Sequence, residues 1–167
     1  MNRFLTTLLL LCAMLSSHMV TAQDHLSALI PMPNHIEQTK GKPFRIVPGR
    51  TTVYCPHDSL HHIALLISRN IERQMGVAIE VSDTNERGAI VLHIDSTIQG
   101  REHYRLAVSA RGLTLSGCTA EALYRGATTL NQLLLGDVCT TLRGEVQPIV
   151  IDDQPRFPYR ALMLDPA

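Results

Sequence analysis

The amino-acid sequence predicts an α+β (mixed α/β) fold, in which two helices cover one face of a small β-sheet. Two stretches, one starting near Ser59 and one near Thr119, place apolar residues at steps of three and four, the spacing of an amphipathic helix. Short runs of alternating or β-branched residues surround both stretches, and the clearest of them form an antiparallel hairpin. Strands and helices that interleave irregularly in this way are typical of the class.

The first residues have the pattern of an exported protein. Arg3 precedes an apolar run over residues 5–15, and small residues follow at positions 20–22. The pattern predicts a signal peptide cleaved after Ala22, and therefore a periplasmic, cell-surface or extracellular location. The run is too short for a bilayer core of roughly 30 Å, so no membrane span is expected. Lipid modification of Cys12 is a weaker alternative, because a large residue precedes it.

The charge of the chain is balanced, with 15 basic and 15 acidic residues. Removal of residues 1–22 takes away one basic residue and no acidic one, which leaves a formal net charge of −1. The basic residues between Lys40 and Arg160 form no stripe along the sequence, so nucleic acid is not an expected partner. Three cysteines remain after cleavage, Cys55, Cys118 and Cys139. At least one of them must be unpaired, and the positions of Cys55 and Cys118 favour roles as small core residues.

The first half of the exported chain predicts five strands and one helix. An extended leader at residues 30–33 contains two prolines. The predicted strands are residues 34–39, 44–47, 51–55, 77–81 and 89–94. The helix between the third and fourth strands has Ser59 as its predicted N-cap. Its apolar stripe ends at Met75, and Gly76 is predicted to end the helix.

The second half predicts a hairpin, a second helix and a last strand. Apolar and polar residues alternate from Tyr104 to Val108, and a turn at residues 110–112 leads into residues 113–115. Thr119 is the predicted cap of a helix that Gly136 ends. Its apolar stripe consists of Leu123, Ala127, Leu130 and Leu134. Residues 146–151 predict a strand, a proline-rich connector follows, and a domain boundary is expected after residue 150.

Three histidines near the first helix suggest a metal site, because His57 and His61 are four positions apart and could share a helix face. The sequence offers no third ligand, and Asp58 stands where the paired-histidine motif of zinc peptidases has glutamate. We therefore expect His57, His61 and His62 to lie at a solvated helix start, with His57 outside the helix and no metal bound.

Two adjacent carboxylates, Asp152 and Asp153, suggest glycoside chemistry, which usually needs a pair of acids around one bond. Neighbours in an extended segment point to opposite sides, so an acid/base pair is not expected. One of them is predicted instead to accept hydrogen bonds from turn amides, or to pair with Arg156 or Arg160. Weak glycan binding through the scattered aromatic residues is an alternative. These residues are Phe44, Tyr54, Tyr104, Tyr124, Phe157 and Tyr159.

Two stretches resemble the family 20 β-N-acetylhexosaminidases. Residues 104–134, which include ALYRGATTLNQLL at 122–134, resemble the hairpin and helix that close the amino-terminal domain of these enzymes. Residues 148–165, which include PRFPYRALMLD at 155–165, resemble their linker and first barrel strand. The resemblance implies a zincin-like accessory domain at residues 23–150. It also implies that residues 151–167 are the linker and the start of a (β/α)₈ barrel, at which the chain is truncated.

The same resemblance implies a parent activity that needs no cofactor. These enzymes remove terminal non-reducing N-acetylhexosamine residues with retention, and the substrate's own acetamido oxygen is the nucleophile. An adjacent Asp-Glu pair on a later barrel strand assists, and the present sequence contains no such dipeptide. We therefore expect a non-catalytic fragment without catalytic residues. Its partner would be the missing barrel, and through that barrel N-acetylhexosamine-containing glycans.

One substrate-binding residue carries over by resemblance. Arg160 matches the family arginine that hydrogen-bonds the hydroxyls of the terminal sugar, a role suited to the forked donors of guanidinium. An ion pair with Asp152, Asp153 or Asp165 is the alternative. The family usually has glycine where Ala161 stands. Two other functions remain open: an independent glycan-binding or interaction module, and a domain that only packs against the barrel and exposes an apolar patch without it.

Overall fold

The computed structural model describes residues 29–134, 144–157 and 159–161. The predicted signal peptide, Cys139, Gly136 and Asp165 lie outside these residues. The helices are α1, His61–Met75, and α2, Ala120–Leu134. The strands are β1 His35–Gln38, β2 Phe44–Arg45, β3 Thr52–Tyr54, β4 Glu80–Ser82, β5 Ile90–Ile94, β6 Tyr104–Ser109, β7 Gly112–Gly117, β8 Glu145–Val146 and β9 Ile149–Asp153.

A seven-stranded mixed sheet forms the centre of the fold, in the order β1-β9-β6-β7-β5-β3-β4. The strands β4, β3, β5 and β7 are parallel neighbours, whereas β7, β6, β9 and β1 pair in antiparallel fashion. A separate two-stranded ladder joins β2 to β8. This mixed sheet with two helices confirms the predicted fold class.

Both helices pack on the same sheet face and against each other, because their apolar stripes point inward. The stripe of α1 buries Ile63, Ile67 and Ile71, and the predicted stripe of α2 is buried throughout. The facing sheet residues are also buried, and they include Ile90, Leu92, Leu106, Leu113 and Leu115. Each such side chain contributes roughly 1.5–3 kcal/mol when it is fully buried. Among the described helices, none is long and apolar enough to cross a membrane.

The ends of the helices test the predicted caps. Thr119 caps α2 as predicted, because its Oγ1 accepts a hydrogen bond of 3.1 Å from the amide of Ala122. Gly76 ends α1 as predicted, in a left-handed conformation with φ of 70°, which glycine adopts without steric cost. The prediction for Ser59 is wrong. The chain enters α1 through a 3₁₀ turn over Asp58–Leu60, and no side chain caps the helix.

The strands agree with the sequence where one face is deeply buried. The hairpin of β6 and β7 is confirmed, with Ser109 opposite Gly112 across a two-residue loop. The predicted strand at 77–81 lies later, at Glu80–Ser82. The predicted strand at 146–151 is two strands, β8 and β9, separated by Gln147 and Pro148. Proline has no amide hydrogen and interrupts the ladder at that point. Residues 151–153 belong to β9 and pair with both β1 and β6.

Candidate functional site

A groove lies where the chain leaves the sheet after β9. We call residues 154–157 and 159–161 the connector. Between the connector, α2 and the leader before β1 lies a groove of about 540 Å³, here the connector groove. Its walls carry the apolar side chains of Ile30, Met32 and Phe157, and its lining also contains Tyr104, Asp153, Arg125 and Arg160.

Arg160, in the connector, is bound to the domain by a carboxylate. Its Nη2 donates to both oxygens of Glu102, at 2.6 and 2.7 Å, and its Nη1 donates to the carbonyl oxygen of Phe157 at 2.7 Å. Glu102 also accepts two hydrogen bonds from Arg125 of α2, at 2.9 and 2.7 Å. The carboxylate therefore links the connector to the second helix through two guanidinium groups, which are well suited to such pairing.

This arrangement fixes the charge of Glu102. The hydrogen bond from Arg160 is the main cause that lowers the pKa of Glu102 to about 2, against the opposing effect of burial and with further help from Arg125. Glu102 is therefore ionised at any pH at which the protein functions. Of the three aspartates proposed as ion-pair partners of Arg160, Asp152 and Asp153 do not pair with it, and Asp165 lies outside the described residues. The role of Arg160 in sugar binding stays a prediction.

Asp153 lies on the helix-facing side of β9 and stabilises the floor of the connector groove. Its Oδ1 accepts a hydrogen bond of 3.0 Å from the amide of Asn34, and its Oδ2 accepts one of 3.2 Å from the hydroxyl of Tyr104. The same hydroxyl lies 2.7 Å from Oγ1 of Thr129. Burial raises the pKa of Tyr104, which keeps the hydroxyl protonated and able to donate.

Asp152 points to the other face of the sheet. Its Oδ1 lies 2.6 Å from Nε2 of His103, while Nδ1 of His103 contacts the carbonyl oxygen of Gln99 at 2.8 Å. The two adjacent aspartates therefore lie on opposite sides of β9, as predicted. One of the two was predicted to accept a hydrogen bond from a backbone amide, and Asp153 does so. Pairing of either aspartate with Arg156 or Arg160 is not found among the described residues.

The candidate metal ligands and cysteines are separate from this groove. His57 lies outside α1 as predicted, and His57, His61 and His62 are all exposed. In the part of the chain that the structure describes, no group of three or more His, Cys, Asp or Glu side chains could hold a metal ion. Cys55 and Cys118 are unpaired and partly buried. Burial raises the pKa of the Cys55 thiol, which packs against the core and is a poor nucleophile in that state.

The contact between His103 and Asp152 predicts a pH-dependent stability. Burial lowers the pKa of His103, but the hydrogen bonds to Asp152 and Gln99 outweigh it and raise the pKa above its usual value. The stabilisation is thus fully present below about pH 6.5, the pKa of histidine in the unfolded chain. It is lost as the pH rises through the higher pKa of His103 in the folded protein. We expect the free energy of unfolding to fall by about 0.5 kcal/mol as the pH rises, which is the contribution of a partly exposed ion pair.

Urea unfolding between pH 5.5 and 8.5 measures this effect. When the pH is raised, the free energy of unfolding should fall by less in the variant His103→Gln than in the wild type, and the difference should equal the contribution of this ion pair. His62→Gln removes an exposed histidine from α1 and should keep the wild-type profile. Identical pH profiles for wild type and His103→Gln would contradict the assignment.

Comparison with known proteins identifies the family. The model of glycosyl hydrolase family 20, domain 2, matches residues 26–154. A β-N-acetylhexosaminidase of Cellulomonas fimi is 30% identical over 145 residues, which are 84% of this chain and 28% of that protein. A β-hexosaminidase of Porphyromonas gingivalis is 28% identical over 144 residues, 82% of this chain and 18% of that protein. The chain therefore spans less than a third of the length of these relatives.

Solved structures agree with the sequence relatives. A variant of Streptomyces plicatus β-hexosaminidase in complex with GlcNAc superposes with a TM-score of 0.71 and 26% identity, over 81% of this chain and 28% of that chain. An exo-β-N-acetylglucosaminidase of Vibrio harveyi in complex with N-acetylglucosamine superposes with a TM-score of 0.64 and 25% identity, over 84% of this chain and 20% of that chain. Since the family model covers well over half of its residues, the chain belongs to glycosyl hydrolase family 20 and contains domain 2 of that family.

Proposed function

We propose that the chain is a non-catalytic accessory domain of an exported β-N-acetylhexosaminidase. In this proposal it supports a catalytic barrel that continues from the connector, and the whole enzyme removes terminal non-reducing N-acetylhexosamine residues by substrate-assisted retention. The names of the relatives and the small share of their length that the chain spans support this proposal. The apolar wall of the connector groove is the observation that carries it.

That wall is unusually exposed for a cluster of large apolar side chains. Ile30 is 76% exposed, and Met32 and Phe157 are each 65% exposed, although all three line one groove. Single exposed apolar residues are common on protein surfaces, but a contiguous patch marks a contact surface. The patch adjoins the connector, so a domain that follows the connector would be the first to reach it. The barrel is therefore the proposed occupant.

The polar groups of the groove favour a supporting role over catalysis. Asp153 is the single carboxylate in its lining, among the residues that the structure describes, and both of its oxygens are hydrogen-bonded within the domain. In the described lining no second acid faces it across the groove, whereas general acid/base hydrolysis of a glycoside needs a second group. In the whole enzyme we expect the catalytic groups to come from the barrel, and Arg160, held beside it by Glu102, to contact the terminal sugar.

A hydrolysis assay separates a supporting role from catalysis. The purified chain should release no p-nitrophenol from p-nitrophenyl-N-acetylglucosaminide above the buffer rate, and clear turnover would overturn the proposal. A dye that binds apolar surfaces tests the contact patch. Its fluorescence should fall several-fold in the variant I30S/M32S/F157S. Val47→Ser, which changes a residue 38% exposed away from the groove, is the control and should leave the signal unchanged.

A further inference from the structure

Four arginines from four separate segments line one groove at the other end of the sheet. They are Arg45, Arg50, Arg87 and Arg111, and all four are exposed. The groove has a volume of about 230 Å³, and the described residues that line it include no carboxylate. We call it the arginine groove.

The backbone beneath these side chains is held by hydrogen bonds between neighbouring loops. The amide of Gly88 donates to the carbonyl oxygen of Arg111 at 3.0 Å, which joins the loop before β5 to the hairpin turn of β6 and β7. The amide of Arg50 donates to the carbonyl oxygen of Val47 at 3.1 Å in the loop before β3. The backbone positions of Arg50 and Arg111 are therefore set by the fold, while the side chains of all four arginines are exposed.

Most of the charge in the arginine groove is not neutralised within the domain. Arg45 pairs with the buried Glu145. Arg50, Arg87 and Arg111 have no carboxylate within ion-pair distance in the described part of the chain. The formal net charge of the whole sequence is zero, so this is a local excess of positive charge. Positive charge that no carboxylate neutralises attracts anions, which favours a role in binding them.

The arginine groove also lies far from the connector. It adjoins the turn that joins the end of β6 to the start of β7, whereas the connector groove adjoins Tyr104 at the start of β6. A strand of this length separates the two ends by roughly 17 Å. The two grooves therefore lie at opposite ends of β6.

We propose that the arginine groove binds an anionic polysaccharide through its sulfate or carboxylate groups. Guanidinium forks match such oxyanions in a bidentate geometry. The choice of a polysaccharide rests on the proposed role in a glycan-hydrolysing enzyme. Single-stranded nucleic acid is disfavoured because Phe44, the aromatic residue in the lining, is buried and offers no stacking face. A membrane surface is disfavoured because Val47 is the one large exposed apolar side chain among the described residues of the lining.

Binding of dextran sulfate to the full chain, measured by isothermal titration calorimetry, tests the proposal. The variant R50Q/R87Q/R111Q should bind at least tenfold more weakly than wild type. The slope of the logarithm of its binding constant against the logarithm of the salt concentration should become shallower by about one for each arginine that no longer binds an anionic group. The control R69Q/R73Q/R101Q removes the same charge from exposed positions on α1 and the loop before β6. It should change the affinity less than twofold.

Further ligands identify the recognised group. Neutral dextran should not bind. A comparison of the affinities for dextran sulfate and for polygalacturonate shows whether the groove prefers sulfate or carboxylate. Equal weakening by the two triple variants, or no binding of either polymer, would overturn the proposal. So would equally tight binding of an oligothymidylate or of phosphatidylglycerol vesicles. None of these outcomes depends on hydrolysis, so a failure here leaves the accessory-domain proposal standing, and turnover in the hydrolysis assay leaves a positive binding result intact.

Discussion

Leu115→Ala is expected to lower the free energy of unfolding by about 2–5 kcal/mol, the range for removal of a buried leucine side chain. Leu115 is fully buried in β7, where it lies opposite Leu106 of β6 and beneath α2. Loss of its isobutyl group would leave a cavity between the sheet and the helix, and the close packing of interiors makes such cavities costly. Urea denaturation of the purified chain measures the change.

Gly126 of α2 supplies a partner for a double-mutant cycle. A Cβ atom at this position would clash with Cδ1 of Leu115 and would lie 2.9 Å from Cδ2 of Tyr104. Gly126→Ala should therefore destabilise by about 1–3 kcal/mol through overpacking, although alanine favours a helix by about 1 kcal/mol over glycine. The free energy of unfolding of the double variant L115A/G126A should fall by less than the sum of the two single-variant changes, because the new methyl group occupies the vacated space. Thr128→Ala, exposed on α2, is the near-neutral control.

Strict additivity of the two changes would show that Gly126 does not contact Leu115 as described. An unchanged or increased stability for Gly126→Ala alone would have the same meaning, since helix propensity would then exceed any steric cost. The cycle thus tests whether the helix approaches the sheet closely enough to require glycine.

Elements with a strong one-sided periodicity were predictable from sequence. The β6–β7 hairpin and the stripe of α2 place apolar residues at regular steps, and both are confirmed. The short strand β4 is an edge strand with one neighbour, so its position depends on pairing with β3 more than on its own residues. The insertion of β9 between β1 and β6 is likewise set by distant segments and leaves no local pattern. Local sequence cannot encode such long-range pairings.

The candidate sites divide in the same way. Arg160 was recognisable because it lies in a motif, but its partner Glu102 lies in a loop before β6 that has no periodic pattern. Its closeness to the connector follows from the pairing of Tyr104 with Asp153, a long-range contact. The arginine groove was missed for a related reason. Its arginines are scattered along the chain and form no stripe in sequence, and only the fold brings their loops together.

Glu102→Gln is expected to release the connector from the domain. The substitution keeps the shape of the side chain but removes the charge that Arg160 and Arg125 share. Neutral amides bind guanidinium less strongly than carboxylates do. Backbone ¹⁵N order parameters at Tyr159, Arg160 and Ala161 should fall from about 0.85, the rigid value, to below about 0.6. The pKa of Glu102, about 2, predicts that the wild-type connector stays ordered as the pH is lowered until it approaches that value.

Glu121→Gln is the matched control, because it removes a neighbouring carboxylate that pairs with Arg101 at 2.7 Å and lies 3.8 Å from Arg125. This variant should leave the order parameters of the connector at the wild-type value. Equal loosening by both substitutions would mean that general charge, and not the bidentate contact with Arg160, orders the connector. Low order parameters in the wild-type chain would mean that the contact does not hold the connector in solution. A rigid connector in the wild type alone would show that Glu102 fixes the direction in which the chain leaves the domain, and hence where the proposed barrel would begin.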